Sequence, residues 1–148
     1  MNPPADRSRV DPLARLPGYL LRRASSATVA ELNERLAPLG VRHADVALLM
    51  LIDGRSGLTQ SEAGRILDIQ RANMAPFVAR LYRRGLIERR RVDGRSQALA
   101  LTAAGRSLLA ESRAVVDAYE RALLRRVPTD LRPMVVPILM ALWKGTAP

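Results

Sequence analysis

The sequence predicts a mostly α-helical chain carrying one short β-hairpin. Three observations lead there. The apolar positions are mainly Leu, Ala and Val, with aromatic residues at only 3%, a balance that favours helices. Apolar residues recur at helical spacing in segments separated by Gly and Pro stops. A single stretch, LIERRRVDGRSQALAL, alternates instead and carries an Asp-Gly turn signal at its centre.

A length of 148 residues suits one domain, or one domain that completes itself by dimerising. Residues 1–12, with Pro3, Pro4 and Pro12 among charges, read as a flexible tail. Residues 13–148 read as a single folded domain. Its first helix spans 17 to about 37, opened by Pro17 and stopped by Pro38 and Gly40. Leu21, Ser25, Thr28, Leu32 and Leu36 fall on one side of it. A second helix, about 43–53, is apolar nearly all round and is expected to be buried. Thr59 followed by Glu62 forms a capping box that starts a third helix, about 60–67. Asp68 and Ile69 form its exit.

A fourth helix follows at once, about 70–84, with Gly85 as its stop. Met74, Phe77 or Val78, and Leu81 make its inward stripe. Pro76 removes one backbone bond and is expected to bend the helix or disturb its first turn. Two strands flank the VDGR turn, with Leu99 and Leu101 pointing inward. Thr102 is the expected N-cap of a long fifth helix. A sixth follows, with Thr129 as its cap and Pro137 as a kink. Met134, Val135, Ile138, Leu139 and Leu142 give it a strongly apolar end.

Two helices joined by about three residues, the second one basic, make a helix-turn-helix pattern, and a hairpin directly behind it is a wing. The charge agrees. Net charge is +10 and the isoelectric point about 11.5, which points to a polyanionic partner, nucleic acid before an acidic membrane surface. Arginine supplies all but one of the 24 basic residues, the exception being Lys144. A codon bias explains Arg over Lys but not the excess of positive charge. Residues 83–102 alone hold six arginines.

Arg95, just past the turn, is the candidate for a narrow minor groove, with Asp93 bracing it by a charge-assisted hydrogen bond. Arg89 and Arg91 alternate along a strand toward the phosphates. Gln70, Arg71, Asn73 and Ala75 occupy the first turns of the fourth helix, which enter the major groove. Asn pairs with adenine and Arg with guanine, although Arg71 equally suits a phosphate. Arg80, Arg83 and Arg84 are expected at the DNA backbone or a helix C-terminal carbonyl. Thr59, Gln60 and Ser61 start the third helix, where phosphate is attracted. For Thr59 the cap is the stronger role.

The absence of cysteine excludes disulfides, thiolate metal sites and thiol redox sensing. His43 is the only histidine, which argues against a histidine metal site. No phosphate-loop pattern or nucleophile constellation is present, so an enzyme is not expected, nor a cofactor. The start is polar and no apolar run approaches a membrane span. A cytoplasmic protein without a membrane partner is the simplest expectation.

Residues 58–105 resemble the MarR family of winged helix-turn-helix transcriptional regulators. The resemblance rests on Leu58-Thr59, Leu67-Asp68-Ile69, Leu81 through Ile87 with Arg89, Asp93-Gly94-Arg95, and Leu101 through Gly105. The order of elements extends it over about 13–145, with 58–101 as the winged helix-turn-helix and 13–40 and 102–145 as dimerisation helices. Two departures stand out. Gln97 occupies the second basic position of the wing, and Pro76 sits where a polar or basic residue is common. The resemblance implies a homodimer that represses transcription at a pseudo-palindromic operator, relieved by a small ligand.

The family's usual pocket would be lined here by Leu16, Tyr19, Leu20, Arg23, His43, Val46, Ala47 and Met50. Arg22, Arg23 and His43 are candidates for an anionic ligand, assisted by Arg42. Each has a plain structural alternative: a helix-start residue for His43, a solvated face or a dimer salt bridge for the arginines. The stretch GYLLRRAS, 18–25, is similar to the first helix of MarR-type regulators that respond to hydroxycinnamoyl-CoA thioesters such as feruloyl- or p-coumaroyl-CoA. Arginines suit the CoA phosphates. A free aromatic carboxylic acid is the alternative effector, and an effector-free nucleic-acid-binding module the alternative function. Replacing Arg95 by Ala is expected to weaken operator binding and leave the dimer intact; unchanged affinity at physiological salt would remove the minor-groove role.

Overall fold

The computed structural model describes residues 12–91 and 97–144. The chain divides into two compact units, split between His43 and Ala44. The first contains helix α1, Pro17–Leu36, followed by a 3-10 turn at Ala37–Leu39. Gly40 ends that turn at φ 67°, where a side chain would be strained. Leu36 is fully buried, but Leu16, Leu20 and Leu21 are exposed and Thr28 and Leu32 only half-buried. The expected apolar stripe of this helix is therefore uncovered through its first half.

Helix α2, His43–Gly54, has only its first residue in the first unit; the second unit continues with α3, Gln60–Ile66, and α4, Arg71–Arg83. Strands β1, Ile87–Arg91, and β2, Gln97–Leu101, come next, then α5, Ala103–Arg125, and α6, Arg132–Lys144. As its all-round apolar pattern implies, α2 buries Val46, Leu48, Leu49 and Ile52. In α4 the buried stripe is Met74, Val78 and Leu81. Phe77 stays half-buried, which resolves the Phe77/Val78 alternative in favour of the smaller side chain.

The capping box at Thr59 forms in full. The Thr59 hydroxyl oxygen accepts from the Glu62 amide at 3.3 Å, and the Thr59 amide donates to Glu62 Oε2 at 2.9 Å. The Thr59 amide, and after it the Thr59 hydroxyl, which donates to the same Glu62 oxygen at 2.8 Å, hold the Glu62 carboxyl below its ordinary value of 4.5, with help from Arg65 and Arg55. Both α3 and α4 end in a paired turn. The Ile69 amide reaches the Gly64 carbonyl at 2.9 Å across Asp68, and the Leu86 amide reaches that of Leu81 at 3.1 Å across Gly85. Asp68 adopts φ 52°, a left-handed conformation that Asp tolerates better than most residues.

Pro76 does not break α4, which runs on from Arg71 to Arg83. The proline deprives only the Ala72 carbonyl of its helical donor, and Ala72 is exposed, so water can serve it. The sixth helix departs from expectation. It begins at Arg132, three residues past Thr129, so Thr129 is not its cap. The Arg132 side chain instead donates to the carbonyls of Val127, at 2.9 Å, and Arg125.

β1 and β2 pair antiparallel in the register Ile87↔Leu101, Arg89↔Leu99 and Arg91↔Gln97. The sequence pattern does not announce a third contributor. The Leu99 amide donates to the Leu58 carbonyl at 2.8 Å, and Thr59 bridges to Ala98. The helix-turn-helix is thereby tied to the wing by backbone bonds. Thr102 closes the other side. Its oxygen accepts from the Gly105 amide at 3.0 Å, its hydroxyl donates to the Gly85 carbonyl at 2.6 Å, and its amide donates to Leu86.

One charged pair lies inside this unit. Asp45 of α2 is 0% exposed and receives both Arg80 Nη1, at 3.4 Å, and Nη2. The guanidinium also lies 5.5 Å from the centre of the Phe77 ring. A buried carboxylate without its cation is costly, so Arg80→Ala is expected to destabilise by about 3 kcal/mol, the low end for a broken buried pair because Arg80 is half-exposed. Denaturant unfolding measures this; an unchanged midpoint would mean that Arg80 serves only DNA. Gly105→Ala should also destabilise, by about 1–3 kcal/mol, because a Cβ there overlaps the Leu86 carbonyl oxygen. Gly18→Ala, with nothing within 4 Å of the added carbon, is the control that should not lower the melting point.

Candidate nucleic-acid interface

The two helices of the helix-turn-helix present one concave surface. A groove of about 660 Å³ is lined by Gln60, Ser61, Arg65, Asp68, Gln70 and Arg71 over Gly64, Ile69 and Met74. Four residues expected at DNA, Gln60, Ser61, Gln70 and Arg71, thus meet in one place. Thr59 stands outside it and serves as the cap. Asn73 and Ala75 are exposed on the first turns of α4 beside Arg71. No side chain caps the α4 N-terminus, so its first amides remain open to an acceptor.

The structure assigns the arginines different work. Arg80, expected at the DNA backbone, is paired to buried Asp45. Arg90 donates through Nε to Glu88 at 2.7 Å. Strand alternation puts Arg89 and Arg91 on the opposite face of the hairpin from Arg90, and both are exposed. Asp93 and Arg95 lie outside the described residues.

Arg65 and Asp68, also in the helix-turn-helix groove, were missed by sequence reasoning. Arg65 follows Ser61 by one helical turn, so helical spacing held a signal for it. Asp68 gave none, because its place in the groove follows from the left-handed turn.

The residues expected at a ligand divide between the two units. In the first, the Tyr19 hydroxyl accepts from Arg23 Nη1 at 3.2 Å, and the guanidiniums of Arg22 and Arg23 lie 5.6 and 5.9 Å from its ring centre. Leu16 and Leu20 are exposed beside them. His43 is held from the same unit: its amide donates to Asn33 Oδ1 at 2.8 Å, and its ring Nδ1 lies 3.2 Å from the same oxygen. An amide oxygen only accepts, so this contact selects the tautomer protonated on Nδ1. Arg42 is exposed. In the second unit, Ala47 and Met50 are half-buried one turn apart on α2, while Val46 is sealed. Among the described residues no cluster of His, Asp or Glu could hold a metal ion, and no helix is long and apolar enough to cross a membrane.

Residues 42–96 match the MarR family. Among solved structures, the transcriptional repressor CouR bound to a 23-mer DNA duplex is 32% identical, covering 88% of this chain and 94% of that one, with a TM-score of 0.82. CouR bound to p-coumaroyl-CoA is 30% identical over 91% of this chain and 96% of that one, again with a TM-score of 0.82. A MarR family protein of Mycobacterium tuberculosis in complex with salicylic acid is 28% identical, covering 85% and 95%, with a TM-score of 0.70. No curated protein sequence matches significantly. With nearly the whole chain superposing on a repressor at this identity, and with its helix-turn-helix and wing in place, the protein belongs to the MarR family.

Proposed function

We propose that the protein is a ligand-responsive transcriptional repressor that binds a pseudo-palindromic operator as a homodimer and is released by a hydroxycinnamoyl-CoA thioester, p-coumaroyl- or feruloyl-CoA. The observation that carries the DNA-binding part is the groove gathering Gln60, Ser61, Gln70 and Arg71 at the mouth of the helix-turn-helix. The exposed apolar side of α6 supports the homodimer: Val136, Ile138, Leu139, Leu142 and Trp143 are exposed, Trp143 at 69%. Surface of this kind is normally covered by a partner.

For the effector, support comes from α1 and from the relative that holds p-coumaroyl-CoA. Arg22 and Arg23 sit over Tyr19 at the start of α1, next to exposed Leu16 and Leu20. Two guanidiniums suit the phosphates of CoA and an aliphatic surface suits its pantetheine arm. Binding to one conformation of the dimer shifts the spacing of the two reading heads. A second reading, a free aromatic acid as the effector, is favoured by the salicylic acid complex of the mycobacterial relative.

Thermal melting with matched ligands separates the two. A thioester at about a hundred times its Kd should add about 2.7 kcal/mol of stability, a rise of several degrees for a chain of this size. The same concentration of ferulate, p-coumarate or CoA alone should add far less. A shift with the free acid equal to that of its thioester would favour the second reading, and no shift with any of them would remove both effectors.

A further inference from the structure

With a helix in the major groove and a wing in the neighbouring minor groove, one sugar-phosphate strand must pass between the two elements. In this chain a groove of about 440 Å³ lies at that place. It is lined by Ala79, Tyr82 and Arg83 of α4 and by Arg89 and Gln97 of the wing strands. Each polar lining side chain can donate a hydrogen bond: a phenol, two guanidiniums and a carboxamide. No carboxylate lines it. Two neighbouring arginines are engaged elsewhere, Arg80 with Asp45 and Arg90 with Glu88.

We propose that this groove seats a single DNA backbone phosphate, with Tyr82, Arg83, Arg89 and Gln97 as its donors, and that it sets the register between recognition helix and wing. The inference rests on the DNA-binding reading above and deepens it. It also gives Gln97 a part to play. The positive charge that the resemblance expects at that position comes from Arg83 and Arg89 across the groove, while the Gln97 carboxamide adds an uncharged donor. Tyr82 is 54% exposed, unusual for an aromatic side chain with no core to fill. Its hydroxyl, carried at the far end of a rigid ring, suits a phosphate oxygen.

The test uses a duplex selected from a random pool by the full-length protein. Arg83→Gln and Arg89→Gln should each flatten the slope of log affinity against log salt by about 0.9, the value for one lost phosphate contact. Tyr82→Phe should weaken binding about tenfold, as expected for a lost hydrogen bond to a charged group, with the slope unchanged. All three side chains are on the surface, so melting points should not move. A methylphosphonate is then placed at each backbone position in turn. One position per half-site should weaken the unaltered protein and have no further effect on the Tyr82→Phe/Arg83→Gln double variant. If every methylphosphonate acts equally on both proteins, no phosphate is seated there and the proposal is overturned while DNA binding stands. If the unaltered protein selects no duplex, the DNA-binding reading fails and this inference with it.

Discussion

A carboxylate taken out of water must meet a cation, and Asp45 meets it on the helix that reads DNA. Asp45 is fully buried on α2, and Arg80 reaches it from the middle of α4. Pairing of this kind is directional, because the planar guanidinium offers two parallel donors to two carboxylate oxygens. It therefore fixes the rotation of α4 about its own axis as well as its distance from α2. Met74, Val78 and Leu81 then face the core, and Arg71, Asn73 and Ala75 are left facing outward. Apolar packing alone resists sliding and rotation less sharply, since dispersion is non-directional.

The wing is registered to the same frame by backbone bonds. Leu58 and Thr59 reach β2, and Thr102 joins the end of α4 to the start of α5 through Gly85, Leu86 and Gly105. The close approach of α5 to the Leu86 carbonyl is possible only because residue 105 has no side chain. Helix, turn and hairpin thus form one assembly in which the distance from recognition helix to wing is set by hydrogen bonds. A DNA reader needs that fixed distance, because groove spacing on the duplex is fixed as well.

The large positive charge serves more than one purpose. Arg80, Arg90, Arg106 and Arg132 each satisfy a carboxylate or a backbone carbonyl of the protein itself. Arg71, Arg83, Arg89 and Arg91 line or border the surfaces open to DNA. Net charge measures the attraction to a polyanion, but it does not say which guanidinium meets it. At the opposite extreme of polarity, the exposed leucines of α1 and the uncovered side of α6 are apolar surfaces that the single chain leaves open.

Element order, the limits of the helices other than α6, the Thr59 and Thr102 caps, the Asp68 exit and the buried faces of α2 and α4 were legible in the sequence. Each is a local matter: a capping hydroxyl, a glycine stop or a periodic leucine acts on residues within a turn or two of itself. The MarR resemblance was legible for the same reason, since its motifs are those local signals in a set order. The cap of α6 was misjudged because Thr129 has the right chemistry, while the helix starts two residues later than that cap would place it, at Arg132, whose side chain bonds back to the Val127 carbonyl. The partner of Arg80, the backbone tie between Leu58 and Leu99, and the groove shared by Tyr82 and Gln97 could not be read in advance. Each joins residues far apart in the chain, and which ones meet is decided by how the helices pack. By itself, then, the sequence determined which segments fold and that the protein would seek a polyanion; only the tertiary structure decided which arginines remain for it, because a guanidinium is claimed by whichever acceptor the packing brings within reach.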